Sequence, residues 1–131
     1  MRARAIEDGD LCRLYNARGE TFGYAIVLEG MLPGVIGTQK QFKGSNTPGG
    51  INVNALVSDE LTDFGRAPSF YSCLAEVEKT DDATAVRARW QYLGGEAGYV
   101  RAMRKANPGS TLSDEEILAT IAEDHPGLRE T

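Results

Sequence analysis

The chain has 131 residues, of which 41% are hydrophobic and 25% are charged, and its net charge is −5. This length and composition favour a single globular domain over residues 1–131. The acidic balance argues against general nucleic-acid binding. No apolar run approaches the roughly 18 residues that a membrane span needs, and the first residues lack the apolar core of a secretory signal. We therefore expect a cytoplasmic protein that does not bind membranes.

The cysteine and histidine content limits the chemistry that the chain supports. Cys12 and Cys73 match no zinc or redox spacing, so we expect two buried, reduced thiols. His125 is the single histidine and lies beside Pro126 at a predicted helix end, and one histidine excludes a His-rich metal site. We predict no metal, no cofactor and no catalytic residues.

A β-hairpin within residues 11–28 is the first predicted element. Its turn is the NARG sequence at residues 16–19, for which we expect a type I turn with Gly19 in the left-handed conformation. In this register Leu14 lies opposite Phe22. The alternation of apolar and polar side chains along both strands predicts one buried and one exposed face.

Residues 30–50 are predicted to form a long loop with an unusual composition. They include six glycines, two prolines and two lysines but no acidic residue, although the chain is acidic as a whole. Backbone N–H groups in a glycine-rich turn form concave anion sites, and lysine adds a positive charge. The spacing matches neither a Walker loop nor G-x-G-x-x-G, so a solvated connector is the alternative. The candidate ligand-binding residues here are Lys40, Lys43, Ser45, Asn46 and Thr47.

The rest of the predicted sheet comes from two later segments. The sequence INVNALV at residues 51–57 alternates apolar and polar side chains and predicts a middle strand. Residues 70–93 predict a second hairpin, because a turn at residues 81–82 places Val77 opposite Val86 and aligns the other apolar pairs. Together with the first hairpin, these strands make a mainly antiparallel sheet.

Two helices are predicted after the sheet. Apolar residues at helical spacing indicate a helix over residues 96–106, which an Asn-Pro-Gly sequence ends. Ser113 and Glu116 form a capping box at the start of a second helix, and Pro126 cannot continue it.

The predicted fold class is therefore α+β. A mainly antiparallel sheet of two hairpins and a middle strand occupies residues 1–93, with the long loop at 30–50. Two C-terminal helices occupy residues 96–125.

Two further charged groups are candidate binding surfaces. The second hairpin and the first helix carry basic residues with an aromatic ring available to stack on a base, and these are Arg87, Arg89, Tyr99 and Arg101. Ordinary ion pairing, such as Arg87 with Glu76, is the alternative. The second helix has an acidic outer face, and its candidate partner-binding residues are Glu115, Glu116 and Glu123. A merely solvated face is the alternative there.

Three functional hypotheses follow from these features. The leading one is a non-enzymatic binding or regulatory protein, a homodimer, that captures an anionic ligand containing a phosphate or a nucleotide. The second is a protein–protein interaction module or inhibitor that binds through its acidic C-terminal helix. The third is a small carboxylate-dependent enzyme, for which the candidate groups are Asp59, Glu60, Asp63, Glu76 and Glu78.

Overall fold

The computed structural model describes residues 4–39, 47–68 and 73–130. It shows an α+β fold with an antiparallel sheet, which confirms the predicted class. Three strands and three α-helices lie in these ranges, namely β1 (Leu11–Tyr15), β2 (Glu20–Tyr24), β3 (Glu76–Lys79), α1 (Asp82–Leu93), α2 (Gly95–Ala106) and α3 (Asp114–Asp124). Short 3₁₀ helices add Pro48–Gly50, Val53–Leu56 and Leu128–Glu130. The chain divides into two compact units, residues 1–85 and 86–131, and a single domain stays a prediction.

The sheet has the strand order β2-β1-β3. The predicted first hairpin is confirmed, but its register differs by one residue, because Leu14 lies opposite Thr21 rather than Phe22. The observed register makes the turn one residue shorter than predicted, and the Asn16 side chain stabilises it. Its Oδ1 accepts hydrogen bonds from the backbone N–H groups of Arg18 at 2.9 Å and Gly19 at 3.3 Å. These bonds form an Asx-type turn that keeps all four residues of the NARG sequence in the loop.

Gly19 is required for a different reason than the sequence indicated. It does not take the left-handed conformation that we predicted. A Cβ atom at this position would lie 2.9 Å from the carbonyl oxygen of Ala55. The glycine therefore allows the hairpin turn to lie directly against the 3₁₀ helix Val53–Leu56.

The predicted middle strand at residues 51–57 is wrong, since residues 53–56 form a 3₁₀ helix. Oδ1 of Asn52 accepts a hydrogen bond from the N–H of Asn54 at 2.9 Å and caps this helix. Asparagine side chains that bond the local backbone compete with strand pairing in this way. The apolar ends of the segment, Ile51 and Leu56, are nevertheless buried.

The second predicted hairpin is also wrong, because only its first strand, β3, is present in the structure. β3 exists, but it pairs with β1, so that Val77 lies opposite Leu14 instead of Val86. Residues 82–93 form α1, because Oδ1 of Asp81 accepts a hydrogen bond from the N–H of Thr84 at 2.8 Å and caps the helix start. The chain consequently has three C-terminal helices rather than two.

Each unit has its own apolar cluster. In residues 1–85 the buried side chains of Ile6, Cys12 and Val77 pack together. In residues 86–131, which we call the helical unit, the cluster consists of Trp90, Val100, Ile117, Leu118 and Leu128. None of the helices in the described ranges is long and apolar enough to cross a membrane.

The predicted capping box at the start of α3 is confirmed. The backbone N–H of Ser113 donates to Oε2 of Glu116 at 2.7 Å, and the N–H of Glu116 donates to Oγ of Ser113 at 3.2 Å. Hydrogen bonds to the Glu116 carboxylate, first from the Ser113 backbone and then from the Ser113 side chain, hold the pKa of this carboxyl below its ordinary value. A depressed carboxyl pKa means that the ionised form stabilises the fold.

We expect Glu116→Gln to reduce stability at neutral pH but not in acid. The charge-assisted bond adds stability above the unfolded pKa, about 4.3, and that stability is lost as the pH falls through the lower folded pKa. Thermal unfolding of both chains across this pH range measures the difference. Glu130→Gln removes the same charge from an exposed position in the helical unit and should show no comparable pH dependence. Equal behaviour of the two variants would contradict the assignment.

Candidate functional site

The chain leaves the sheet after β2 and forms an exposed segment. Two contacts anchor its start, where the N–H of Ala25 donates to the carbonyl oxygen of Asp10 at 2.8 Å and the N–H of Val27 donates to Oδ1 of Asp8 at 2.8 Å. Residues 30–39, which we call the acid-free segment, are then exposed throughout. A left-handed Gly34, with φ at +82°, turns the chain within this segment.

The acid-free segment offers hydrogen-bond donors without any carboxylate. The backbone N–H groups of residues 36–39 make no hydrogen bond to any residue that the structure describes. Thr38 and Gln39 add an exposed hydroxyl and an exposed amide to the same segment. Backbone N–H groups that bond no described residue, in a segment with no carboxylate of its own, suit an anionic ligand.

Large apolar side chains accompany these donors on the same stretch of chain. Exposed examples occur from the end of β2 onward, namely Tyr24, Ile26, Val27, Leu28, Met31, Leu32, Val35 and Ile36. Soluble proteins rarely leave so many large apolar groups together in water unless they bind something. The stretch is therefore a candidate contact surface as well as a candidate anion site.

Asn16 connects three segments of residues 1–85 by hydrogen bonds. Its Nδ2 donates to the carbonyl oxygen of Leu56 at 2.9 Å and to that of Leu74 at 3.1 Å. The Cys73 thiol also donates to the Leu56 carbonyl oxygen, at 3.2 Å. Cys73 is exposed, contrary to our expectation, whereas Cys12 is buried, and burial raises the pKa of the Cys12 thiol. These contacts fix the hairpin turn relative to the chain on either side of residues 57–72.

The carboxylates on β3 form ion pairs instead of an acid–base centre. Glu76 accepts a hydrogen bond from Arg4 at 2.6 Å rather than from Arg87. Glu78 lies 2.9 Å from Arg13, which also pairs with Glu20. Hydrogen bonds from Arg13 to these two carboxylates raise the pKa of the guanidinium. Among the residues that the structure describes, no three His, Cys, Asp or Glu side chains gather as a metal site.

The predicted ligand-binding residues are distributed over different places. Lys40, Lys43, Ser45 and Asn46 lie outside the described residues. Thr47 is described, and its hydroxyl donates to the carbonyl oxygen of Ile51 at 3.1 Å. Thr47 therefore helps to shape the chain ahead of the 3₁₀ helix Val53–Leu56.

The predicted basic group is only partly brought together. Arg89 and Tyr99 line one cavity of the helical unit, beside Trp90 and His125. Arg87 and Arg101 are exposed and do not line this cavity. Sequence reasoning missed the contribution of Trp90 and His125, because their proximity depends on α1 being a helix.

The predicted partner-binding residues on α3 have unequal roles. Glu116 closes the capping box. Glu115 accepts a hydrogen bond from Arg129 at 3.4 Å, and Arg129 also donates to Glu96 at 2.6 Å. Glu123 is exposed. Two of the three side chains thus contribute to the internal structure of the helical unit.

Comparison with known proteins identifies one family and two similar proteins. The family described as "Molydopterin dinucleotide binding domain" matches residues 1–74. A Halobacterium salinarum protein named as a dimethyl sulfoxide reductase catalytic subunit is 32% identical over 79 residues, which cover 60% of this chain and 9% of that protein. The "Probable oxidoreductase YoaE" of Bacillus subtilis is 38% identical over 74 residues, which cover 56% of this chain and 11% of that protein. The chain spans about a tenth of the length of these curated relatives. No solved structure matches it.

These similarities overturn the functional hypotheses drawn from sequence. A non-enzymatic regulatory or binding protein is wrong, and so are the inhibitor and small carboxylate enzyme alternatives, because the family is a cofactor-binding domain and the relatives are named as oxidoreductases. The prediction that the protein is not an enzyme is wrong for the same reason. The homodimer and the cytoplasmic location stay predictions.

Proposed function

Because the chain belongs to the molybdopterin dinucleotide-binding domain family, we propose that it is the cofactor-binding domain of a molybdopterin-dependent oxidoreductase. The family match over residues 1–74 is the observation that carries this proposal. The names of the two relatives support the reaction class. When bound, the cofactor supplies the redox chemistry, and the protein supplies binding and orientation.

The hydrogen-bond donors in residues 30–39 suit an anionic dinucleotide. The acid-free segment provides backbone N–H groups at residues 36–39 that bond no described residue, together with Thr38 and Gln39. A negatively charged ligand meets no carboxylate of this segment, so its approach costs no like-charge repulsion there. We assign phosphate binding to these groups.

Contacts at Ala25 and Val27 anchor the chain just before the acid-free segment. Asp8 and Asp10 hold the chain at Val27 and Ala25, immediately before the segment begins. The Lys79 ammonium lies 2.8 Å from Oδ1 of Asp10, and this hydrogen bond, followed by one from Glu7, holds the pKa of the Asp10 carboxyl below its ordinary value. An ionised Asp10 therefore links the segment's start to β3.

The exposed apolar side chains from Tyr24 to Ile36 fit the same proposal. A cofactor-binding domain that packs against more protein needs an apolar contact surface. Relatives about ten times as long contain the additional polypeptide that such packing requires. We therefore propose that this surface is covered when the domain acts in an oxidoreductase.

A nucleoside diphosphate tests the assignment of phosphate binding. We expect guanosine diphosphate or cytidine diphosphate to shift the ¹H–¹⁵N signals of residues 30–39 in an NMR titration. Gln39→Glu places a carboxylate in the segment and should weaken binding about fivefold, since two charges about 4 Å apart in water interact by about 1 kcal/mol. Gln91→Glu makes the same change at an exposed position of α1 and should leave affinity unchanged.

Two results would count against the assignment. The first is a titration at millimolar diphosphate in which the signals of residues 30–39 do not move. The second is equal weakening by Gln39→Glu and Gln91→Glu, because that pattern indicates only an overall charge effect.

A further inference from the structure

The helical unit contains a cavity that lies outside the residues matched by the cofactor-binding family. Its volume is about 230 Å³, which suits a molecule with one ring. Residues from all three helices line it, and the family match ends at residue 74. A ligand here is therefore independent of the proposed dinucleotide site.

Aromatic side chains form one wall of this cavity. The rings of Trp90 and Tyr99 lie with their centroids 5.5 Å apart and their planes tilted by 39°. Trp90 is buried in the apolar cluster of the unit, so its position is fixed by packing. Ile121 extends the apolar wall. The cavity thus offers a preformed surface for a planar ring.

One positive group that lines the cavity has no partner among the described residues. Arg89 is half-buried and makes no ion pair or hydrogen bond with any residue that the structure describes. Asp124 also borders the cavity, but it is exposed, so water screens its charge more effectively. His125 also lines the cavity and is half-buried. A guanidinium in this setting favours a carboxylate, which it binds through two parallel hydrogen bonds.

We propose that this cavity binds a small aromatic carboxylate. The ring lies against Trp90 and Tyr99, and the carboxylate contacts Arg89. The apolar wall selects for a ring, and the unpaired guanidinium selects for negative charge. Neither feature alone distinguishes the ligand class, but together they exclude both neutral polar molecules and simple inorganic anions as good ligands.

Fluorescence of Trp90 gives a direct test, because it is the chain's single tryptophan. We expect benzoate to change this fluorescence saturably. Benzamide has nearly the same shape without the charge and should bind at least about tenfold more weakly. Arg89→Ala should weaken benzoate binding by a similar factor, whereas Arg89→Lys, which retains the charge but not the paired hydrogen bonds, should weaken it less.

Arg87→Ala is the matched control for the change at Arg89. Arg87 lies on the same helix, is exposed and does not line the cavity, so its removal should leave benzoate affinity unchanged. Circular dichroism of each variant confirms that the helices are intact. The proposal fails if benzoate shows no saturable effect below about 10 mM, if benzamide binds equally well, or if the Arg87 and Arg89 variants lose affinity equally. None of these outcomes bears on diphosphate binding in residues 30–39, which is read from different NMR signals.

Discussion

Replacing Trp90 with alanine is expected to destabilise the helical unit by about 3–5 kcal/mol, the usual cost of removing a buried large aromatic side chain. Trp90 is only 4% exposed and packs with Val100, Ile117, Leu118 and Leu128. Alanine leaves a void among these side chains that they cannot fill, because all of them belong to packed helices or to the adjoining turn. Chemical denaturation followed by far-ultraviolet circular dichroism measures the loss of stability.

Tyr92→Ala provides the matched control. Tyr92 lies two residues further along α1, is also aromatic, and is 63% exposed. Its removal should cost less than about 1 kcal/mol, as for most exposed positions. Similar losses for the two variants would show that Trp90 is not the centre of the apolar cluster, and would also remove the wall on which the carboxylate proposal depends.

Trp90 and Tyr92 also show why the strand predicted for residues 85–93 is wrong. In a strand the two residues would lie on the same face, and the alternation of apolar and polar residues at 85–93 fits such a face. In the structure they point to different environments, one buried and one exposed. Two contacts favour the helix over the strand: the cap that Asp81 provides, and the pairing of β3 with β1 instead of with residues 85–93. The second of these is a contact between distant parts of the sequence, and no local pattern reveals it.

Elements with local signals were predictable. The helix α3 begins where Ser113 and Glu116 indicate, because a capping box involves only residues three apart. The first hairpin was predictable in its existence but not in its register. That register depends on the Asn16 side chain, which bonds the turn and also reaches the carbonyl oxygens of Leu56 and Leu74. The apolar pattern alone tolerates the one-residue difference.

For the candidate sites, too, local features were predictable from the sequence, whereas features that depend on distant contacts were not. The unusual composition of residues 30–50 was visible in the sequence, because the absence of acids is a local property. The functional class could not be predicted from the sequence, because backbone N–H groups leave no side-chain motif that identifies their ligand. Arg89 and Tyr99 were grouped from their charge and ring, but their common cavity requires three packed helices.

Replacing Gly49 with alanine is the second change with a large expected effect, about 2–4 kcal/mol. Gly49 has φ at +74°, which costs a non-glycine residue about 1 kcal/mol or more. A Cβ atom there would also lie 2.8 Å from Cδ2 of Phe22 and 3.1 Å from the carbonyl oxygen of Ala85. Phe22 is buried, so it has no free space to move into, and such overpacking typically adds about 1–3 kcal/mol. Denaturant unfolding of the full chain measures the sum.

Gly34→Ala separates the two causes. Gly34 has nearly the same backbone conformation, with φ at +82°, but a Cβ atom would meet nothing within 4 Å. This variant should therefore lose only the backbone contribution, about 1 kcal/mol. The difference between the two variants measures how tightly the 3₁₀ helix Pro48–Gly50 packs on Phe22 of β2. If both lose the same stability, the contact with Phe22 contributes nothing. The hydroxyls of Thr21 and Thr47, which donate to the Ile51 carbonyl oxygen at 2.7 and 3.1 Å, then contribute more than Phe22 to the position of the chain at residue 51.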